Sequence, residues 1–515
     1  MNQRDKWMVT LTVMTGTFMA AIDGSIVNVA LPHMRGNFGA TVEEITWVVT
    51  GYILANVIIM PLIAFLSSRF GRKRMYQFCV FLFVLSSMFC GMARNLSAMV
   101  FFRIIQGIGG GALIPIAQSI LRETFPPEEQ GMAMGIFGMG IMLGPALGPT
   151  FGGWLTDNFS WPWIFYINVP VGILNMTMVH RNISDPPYLK RESGKVDFLG
   201  LGLMVLGLSM LQLMLEKGES LNWFQSRSII NLALLSGVGL ALFIWRELVV
   251  AKPMVDLKIL RNRNFAVGTA LSSVIGMALF GSLFLLPLFL QELLGYTAFY
   301  SGIALIPRSI AMLITMPFAG RLYNRLGPRV LIGLGMTIAF LSFLQFSRLS
   351  LTIGMKDIFF SQFFQGVGMG MVFVAMSTVA LSSVAKPKMQ AATGLYNVVR
   401  QIFGSIGIAI FATQLDRAGV AGHARLVERL TPFRNTSVAY TQRLQGALLS
   451  SGLDPATAHA KSLKILNLIV TRQAMMISFN HAFLLAACLF LFSLPLIFLL
   501  KPKHGLLPAV EVENV

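Results

Sequence analysis

The stretch VTLTVMTGTFMAAIDGSIVNVALP, from Val9 to Pro32, decides what kind of protein this chain can be. At about 1.5 Å per residue, an apolar helix of this length crosses the roughly 30 Å of hydrocarbon in a bilayer. Near its middle lies one carboxylate, Asp23. A charged aspartate at the centre of a membrane helix costs about 2.5–3.5 kcal/mol on insertion scales. We therefore predict that Asp23 has a function, and the simplest one is to hold and release a proton.

The composition of the whole chain also indicates a membrane protein. Its 515 residues are 55% hydrophobic and only 12% charged, whereas soluble proteins carry about twice that share of charged residues. The net charge of +18 does not indicate a nucleic-acid partner, because the basic residues lie in short loops between apolar runs, where they set orientation. The cysteines lie inside apolar runs without the spacing of a zinc site, and we predict no metal site.

Apolar runs of membrane-spanning length recur along the chain, and we predict about fourteen transmembrane helices. Basic clusters follow the even-numbered spans, for example Lys73 and Arg74 after span two and Arg321 and Arg325 after span ten. Under the positive-inside rule these loops and both termini are cytoplasmic. The predicted spans are residues 9–31, 46–67, 75–94, 98–119, 131–153, 163–181, 197–216, 228–248, 265–291, 298–320, 329–348, 358–381, 391–413 and 474–500.

Two segments of the first half recur in the second half, which predicts two similar helix bundles. PLIAFLSSRFG (Pro61–Gly71) matches PFAGRLYNRLG (Pro317–Gly327) in its proline, arginine and glycine. FFRIIQGIGGG (Phe101–Gly111) matches FFSQFFQGVGMG (Phe359–Gly370) in its QG pair. Parallel repeats with a site between them near the bilayer midplane are a known plan for transporters. We therefore predict an all-α polytopic membrane protein with two six-helix bundles and two inserted helices.

The repeat also predicts the domain boundaries. We expect a first bundle over residues 1–183, a linker with two extra transmembrane helices over 184–262, and the first five helices of the second bundle over 263–413. An extracytoplasmic loop over 414–473 and a last helix with a cytoplasmic tail over 474–515 follow. The polar loop is either a solvated cap or a docking surface for another protein, and the sequence leaves both alternatives open.

The two copies differ in charge at one intramembrane position. When the QG pairs are aligned, Arg103 falls opposite Gln362. An arginine stays charged and offers five N–H donors, so it stabilises the ionised form of a nearby acid. Because Arg103 and Asp23 belong to the same predicted bundle, we assign proton chemistry to that bundle. The alternatives are a packing role for Arg103 and a structural carboxylate at Asp23, capped by Ser25 or Asn28.

Three further segments give the chain a family resemblance. IDGSIVNVALP (Ile22–Pro32), WPWIFYINVPVG (Trp161–Gly172) and LPLFLQELLGYTAFYSGIALIP (Leu286–Pro307) resemble the major facilitator superfamily. Within it they are similar to the fourteen-helix drug:proton antiporters, and most of all to EmrB-type multidrug exporters. The resemblance covers essentially the whole chain. It implies the major facilitator fold, and it assigns Asp23 and Arg103 to proton coupling.

The resemblance also identifies a gating loop after the second span. The family motif Gly-x-Leu-Ala-Asp-Arg-x-Gly-Arg-Lys corresponds here to AFLSSRFGRK, with Ser68 in the place of the motif aspartate. Arg69, Gly71 and Arg72 are retained, and the resemblance implies that they form a cytoplasmic gate. The alternative is a tight turn with basic anchors.

The fifth span resembles the antiporter motif, which is present in exporters of the superfamily and absent from its uptake members. Glycine and proline together produce a kinked helix with a bare face that packs closely on its neighbour. The resemblance therefore implies export, and the alternative is an ordinary glycine-rich helix contact. The motif residues are Gly140, Gly144, Pro145, Gly148 and Pro149.

Taken together, the residues and the resemblance predict a proton-coupled exporter of hydrophobic toxic compounds and not an enzyme. Two bundles rock about an apolar midplane cavity with a few polar groups such as Asn28, Gln106 and Asn397. Glu216 and Glu292 lie near the outer helix ends, where we expect them to face water. The proton gradient supplies the energy and no cofactor is expected.

EmrB-type members work with a periplasmic adaptor protein and an outer-membrane channel, so the resemblance implies such partners and a bacterial inner-membrane location. The first alternative is a stand-alone exporter of a specific metabolite or lipid-like compound. More remote alternatives are a membrane-bound transferase and a receptor or channel that does not transport.

Overall fold

The computed structural model describes residues 2–186, 196–428, 430–431 and 434–500, and these residues form helices and connecting loops without a β-strand. Long apolar runs become helices because a helix satisfies its own backbone hydrogen bonds where no water is available. The helices are α1 (Gln3–Phe38), α2 (Val42–Ile45), α3 (Trp47–Phe70), α4 (Arg72–Gly91), α5 (Leu96–Thr124), α6 (Gln130–Asn158), α7 (Trp163–Tyr166), α8 (Asn168–Asn182), α9 (Phe198–Lys217), α10 (Arg227–Val249), α11 (Arg263–Leu288), α12 (Ala298–Phe346), α13 (Met355–Ser382), α14 (Met389–Glu428), α15 (Asn435–Ser450) and α16 (Pro455–Ser493).

Among the described residues, 12 helical stretches are long and apolar enough to cross a membrane. One of them, α12, contains two of the predicted spans, which meet at Gly327 with a φ of +77° that favours glycine. The sixth predicted span corresponds to α7 and the 15-residue α8, which is shorter than the other membrane helices. The all-α polytopic membrane fold is confirmed, and the helix count is compatible with about fourteen spans.

The two bundles, α1–α8 and α11–α16, repeat the same close helix contact. In the first bundle, a methyl group on Gly107 of α5 would lie less than 3.0 Å from the backbone oxygen of Tyr52 on α3. In the second bundle, a methyl group on Gly366 of α13 would lie less than 3.0 Å from the backbone oxygen of Arg308 on α12. Arg308 therefore occupies in the second bundle the place that Tyr52 occupies in the first.

The helices have two ends that differ in character. The N-terminus and the arginine-rich loops lie at one end, which we call the basic face and which is the predicted cytoplasmic side. The predicted loop 414–473 lies at the other end, which we call the loop face. It is formed by extensions of α14 and α16 together with α15, which packs against α16. Residues 187–195 of the predicted linker and residues 501–515 of the predicted last segment lie outside the described residues.

The two bundles are packed tightly against each other on the basic face. A methyl group on Gly131 of α6 would lie only 2.5 Å from the backbone oxygen of Gly320 on α12. Gln390 of α14 donates a hydrogen bond to the hydroxyl of Ser67 on α3 at 2.6 Å. Contacts as close as these leave no passage between α6 and α12 or between α3 and α14 at these points of the basic face.

Candidate functional site

The carboxylate of Asp23 is enclosed within the first bundle, and three side chains donate hydrogen bonds to it. Arg103 Nη1 donates to Asp23 Oδ2 at 2.7 Å, whereas Gln106 Nε2 and Asn168 Nδ2 donate to Oδ1 at 2.9 and 3.0 Å. The side chain of Asp23 is 0% exposed and that of Arg103 is 1% exposed. A buried ion pair is tolerated when further hydrogen bonds satisfy its remaining atoms. The predicted pair of Asp23 and Arg103 thus exists and has such bonds.

The guanidinium of Arg103 is held by α3 as well as by its own helix. Its Nε donates to the backbone oxygen of Val48 at 3.0 Å, and its Nη1 also donates to Gln106 Oε1 at 2.8 Å. Its central carbon lies 4.2 Å from the ring centroid of Tyr52, and aromatic faces attract cations at this distance. The Val48–Tyr52 segment of α3 is therefore in direct contact with the ion pair.

Asn168 is part of this site although we did not single it out from the sequence. It lies at the start of α8 and also donates from Nδ2 to Ser87 Oγ on α4 at 3.0 Å. Ser87 in turn donates to the backbone oxygen of Phe165 at 2.9 Å. The signal that could have identified Asn168 is its amide within the apolar segment WPWIFYINVPVG, because polar groups inside a membrane need partners.

The alternative in which Ser25 or Asn28 of the same helix caps Asp23 differs from the hydrogen bonds seen in the structure. Ser25 Oγ lies within hydrogen-bond distance of two backbone oxygens, that of Ile22 at 3.0 Å and that of Gly144 at 2.9 Å. The side chain of Asn28 is exposed. The carboxylate of Asp23 instead receives its hydrogen bonds from α5 and α8.

The predicted antiporter motif on α6 packs on the part of α1 that carries Asp23. A methyl group on Gly144 would lie less than 3.0 Å from the backbone of Ala21, and one on Gly148 would lie less than 3.0 Å from Ser25 Oγ. Gly140 faces Met14 in the same way, and Pro145 and Pro149 lie inside the helix. The bare face of α6 thus positions the α1 turn on both sides of Asp23.

The three polar residues predicted to line a substrate cavity occupy different environments. Gln106 is committed to Asp23 and Arg103, as described above. Asn397 of α14 donates to Gln118 Oε1 of α5 at 2.7 Å, which joins the two bundles. Asn28 is exposed. Their contact with a substrate stays a prediction.

The loop predicted to form a gate is bound by two acidic side chains that lie elsewhere in the chain. Arg72 forms a two-pronged ion pair with Glu123 of α5, at 2.7 Å from Nη1 and 2.9 Å from Nη2. Gly71 adopts a φ of +90°, and the backbone N–H of Lys73 donates to Asp185 Oδ1 at 2.8 Å. Glu123 belongs to the first bundle and Asp185 follows its last helix by three residues, so these bonds stiffen the loop. The sequence motif, with Ser68 in the place of its aspartate, did not reveal them; Arg69 is exposed beside the same turn.

Among the described residues, the corresponding centre of the second bundle contains two arginines and no carboxylate paired with them. Gly276 of α11 faces the backbone of Arg400 on α14, as Ala21 of α1 faces Gly144 on α6. Two residues further along, the counterpart of Asp23 is therefore the buried Ala278. Gln362 stands opposite Arg103, as the sequence repeat predicted.

Arg308 and Arg400 are the charged groups of this second centre. Arg308 is 3% exposed and donates from Nη1 to Ser282 Oγ at 3.0 Å. Arg400 donates from Nη2 to Asn397 Oδ1 at 3.2 Å. In the described ranges neither arginine forms an ion pair with a carboxylate. The described residues also include no group of three or more His, Cys, Asp or Glu side chains that could hold a metal ion.

Comparison with known proteins agrees with this architecture. The chain is 36% identical over 499 residues to the fatty acid resistance protein FarB of Neisseria gonorrhoeae, covering 96% of each chain. It is 34% identical over 500 residues to the multidrug export protein EmrB of Escherichia coli K12, covering 97% of this chain and 96% of the relative. Among solved structures, the proton:xylose symporter XylE has the same fold, with a TM-score of 0.57 at 13% identity over 98% of this chain and 97% of that one.

The human organic anion transporter MFSD10 also shares the fold, with a TM-score of 0.60 at 12% identity, covering 94% of this chain and 99% of that one. The sequence profile of the Major Facilitator Superfamily matches residues 13–408. The match spans most of the chain and includes both polar centres described above. The chain thus belongs to the Major Facilitator Superfamily of membrane transporters.

Proposed function

We propose that this protein is a proton-coupled exporter of hydrophobic compounds that works by alternating access of its two bundles. The observation that carries the proposal is the ion pair of Asp23 and Arg103, sealed inside one bundle and bound to α1, α3 and α5. Relatives that are named for multidrug export and fatty acid resistance support the export of hydrophobic compounds. The glycine-rich face of α6 against α1 supports the same direction of transport.

The mechanism follows from the charge of Asp23. While Asp23 is ionised, it attracts Arg103 strongly, because both groups are buried in a medium of low dielectric constant. A proton that enters from the loop face and binds Asp23 removes this attraction and leaves Arg103 with its bonds to Val48 and Gln106. The relative free energies of the two bundle arrangements then change, and substrate shifts the balance only through different affinities for them.

The second centre supports a preference for hydrophobic compounds that carry a negative charge. A buried guanidinium is costly unless it is paired, and Arg308 and Arg400 have no carboxylate partner in the described part of the chain. An anionic headgroup of a substrate would pair with these arginines, as Asp23 pairs with Arg103 in the first bundle. The fatty acid resistance of the relative FarB fits this preference, and so does the alternative that the substrate is one lipid-like compound.

The segment 414–473 supports the proposal of partners outside the membrane. It extends α14 and α16 beyond the loop face and adds α15, so it presents helical surface at a distance from the membrane. We propose that it contacts a periplasmic adaptor protein, which links this inner-membrane protein to an outer-membrane channel. Removal of residues 434–451 is expected to preserve transport in vesicles and to abolish resistance in cells; equal losses in both would make the segment a structural part of the transporter.

The coupling is tested in proteoliposomes loaded with the dye rhodamine 6G. An imposed pH gradient is expected to drive dye transport, and collapse of the gradient with nigericin is expected to stop it. A protein that transports the dye equally well with and without the gradient would contradict the proposal. Liposomes without protein provide the control for passive movement of the dye.

A further inference from the structure

The inserted helix α9 connects the two bundles through one of its faces. Gln212 Nε2 donates to Ser405 Oγ of α14 in the second bundle at 3.1 Å. One turn later, the carboxylate of Glu216 is hydrogen-bonded to Thr50 Oγ1 of α3 in the first bundle. Residues four apart lie on the same face of a helix, so a single face of α9 contacts both bundles. Just beyond α9, Trp223 Nε1 donates to Thr413 Oγ1 of α14 at 2.7 Å.

The hydrogen bonds of Thr50 indicate which form of Glu216 fits this contact. Thr50 Oγ1 lies within hydrogen-bond distance of two acceptors, the Glu216 carboxylate and the backbone oxygen of Thr46 at 3.0 Å. A hydroxyl has one proton to donate, so an ionised Glu216 and Thr46 compete for it. A protonated Glu216 removes the competition, because it donates to Thr50 while Thr50 donates to Thr46. The contact between α9 and α3 is therefore best satisfied when Glu216 carries a proton.

Thr50 lies within the segment of α3 that holds Arg103. Two residues before it, the backbone oxygen of Val48 accepts from Arg103 Nε, and two residues after it, the ring of Tyr52 packs against the guanidinium. The segment Val48–Tyr52 thus contacts Arg103 through two of its residues and Glu216 through the residue between them. A shift of this segment would change the position of Arg103, which is the partner of Asp23, and would also change the hydrogen bond between Thr50 and Glu216.

The two carboxyl groups differ in their access to protons. Asp23 is sealed, whereas Glu216 is exposed near the loop-face end of α9. Lys217 is its neighbour in the chain. On the helices packed against α9, the charged and titratable groups of the loop half are Arg227 at the start of α10 and, on α14, Asp416, Arg417, His423, Arg425 and Glu428. None of these groups forms an ion pair with Glu216 in the described part of the chain.

We propose that Glu216 is a second proton-exchanging carboxyl group of the transport cycle. It takes a proton from the loop face and donates to Thr50 in its protonated form. When it loses the proton, it competes with the backbone oxygen of Thr46 for the single hydroxyl proton of Thr50, which changes the contact between α9 and α3. Because α3 also holds Arg103, this step is linked to the ionisation of Asp23. The inference rests on the proposed proton-coupled transport, and it gives the inserted helix a role in coupling in addition to its role in packing.

The experiment compares Glu216→Gln with Glu292→Gln in proteoliposomes that contain rhodamine 6G. Glutamine retains a hydrogen-bond donor for Thr50 but cannot exchange a proton, whereas Glu292 is an exposed carboxylate near the loop-face end of α11. Two rates are measured for each protein: dye transport driven by a pH gradient, and dye exchange without a gradient. Size-exclusion chromatography and the apparent Tm establish that each variant is folded.

We expect the gradient-driven rate of Glu216→Gln to be at least about tenfold lower than that of the wild type, since a positioned proton-transfer group contributes that much or more. Its exchange rate should stay within about twofold of the wild-type rate, because the bond to Thr50 is preserved. Glu292→Gln should match the wild type in both rates. Removal of the hydroxyl in Thr50→Val should lower the gradient-driven rate as well, because Glu216 then loses its partner on α3.

Two results would overturn the inference. Wild-type gradient-driven transport in Glu216→Gln would show that the group exchanges no proton. Equal loss of driven transport and of exchange would show that Glu216 is structural. If the wild-type protein itself does not respond to the gradient, the proposed function fails; if it responds and Glu216→Gln responds equally, only the role of Glu216 fails.

Discussion

The two bundles share their helix packing but differ in the charges at their centres. Gly107 packs on Tyr52 in the first bundle as Gly366 packs on Arg308 in the second. The first centre contains an acid and a base that neutralise each other, whereas the second contains Arg308 and Arg400 without a carboxylate partner in the described residues. One architecture thus provides a neutral pair suited to proton exchange and a cationic site suited to an anionic ligand.

The stability of the two centres should respond very differently to the loss of one charge. Asp23→Ala leaves Arg103 buried and unpaired, and breaking a buried ion pair in this way costs about 3–5 kcal/mol. In contrast, Arg308→Met removes a buried cation to which the described part of the chain offers one hydrogen bond, so we expect a change of at most about 1 kcal/mol or a slight stabilisation. The apparent Tm in detergent measures both effects.

The double variant Asp23→Ala with Arg103→Met is the control for this comparison. It removes both charges together, so it should recover much of the Tm lost in Asp23→Ala. If Asp23→Ala is as stable as the wild type, or if Arg308→Met is destabilised to the same extent, the two centres do not differ in the way described here.

The next largest loss of stability is expected from a substitution in the close contact between α6 and α1. Gly144→Ala brings a methyl group into the backbone of Ala21, and overpacking of this kind costs about 1–3 kcal/mol. It should also slow dye transport, because it displaces the turn that carries Asp23. Gly153→Ala on the same helix is the matched control, since its methyl group would have its nearest neighbour at 3.8 Å. Equal transport by the two variants would count against a positioning role for Gly144.

The charge of the second centre should be visible as a substrate preference. We expect Arg308→Met to weaken transport of the anionic dye 8-anilinonaphthalene-1-sulfonate about tenfold, the equivalent of one charge-assisted hydrogen bond. Transport of the cationic dye rhodamine 6G should change much less. The ratio of the two rates is the measured quantity, and an unchanged ratio would argue against an anion site at Arg308.

The sequence predicted the pairing of Asp23 with Arg103 better than it predicted the surroundings of this pair. An isolated aspartate inside an apolar run is expensive, and its partner could be identified because the repeat puts Gln362 opposite Arg103. The partners Asn168 and Glu123 were not predicted, because they are brought to Asp23 and Arg72 by helix packing between distant parts of the chain. Glu216 was expected to face water, and its contact with Thr50 depends on where the inserted helix α9 lies, which the sequence does not specify.

The loop face shows the same limit in a different way. The sequence of residues 414–473 indicated helices, but its polarity suggested a separate loop between two spans. The structure forms it largely by extending α14 and α16, because helical propensity continues across the point where the composition changes from apolar to polar. The change in composition thus predicts where the chain leaves the membrane, but it does not predict where the helices end. Their lengths follow from local propensity and packing.

Proton movement in Asp23→Asn tests the central claim most directly. Asparagine is close to aspartate in size but cannot exchange a proton, and Arg103 keeps its bonds to Val48 and Gln106. In proteoliposomes that contain a pH-sensitive dye, the wild type should move protons in the direction opposite to rhodamine 6G. We predict that Asp23→Asn, folded and inserted, exchanges the dye without moving protons. Proton counterflow at the wild-type rate in this variant would contradict the account.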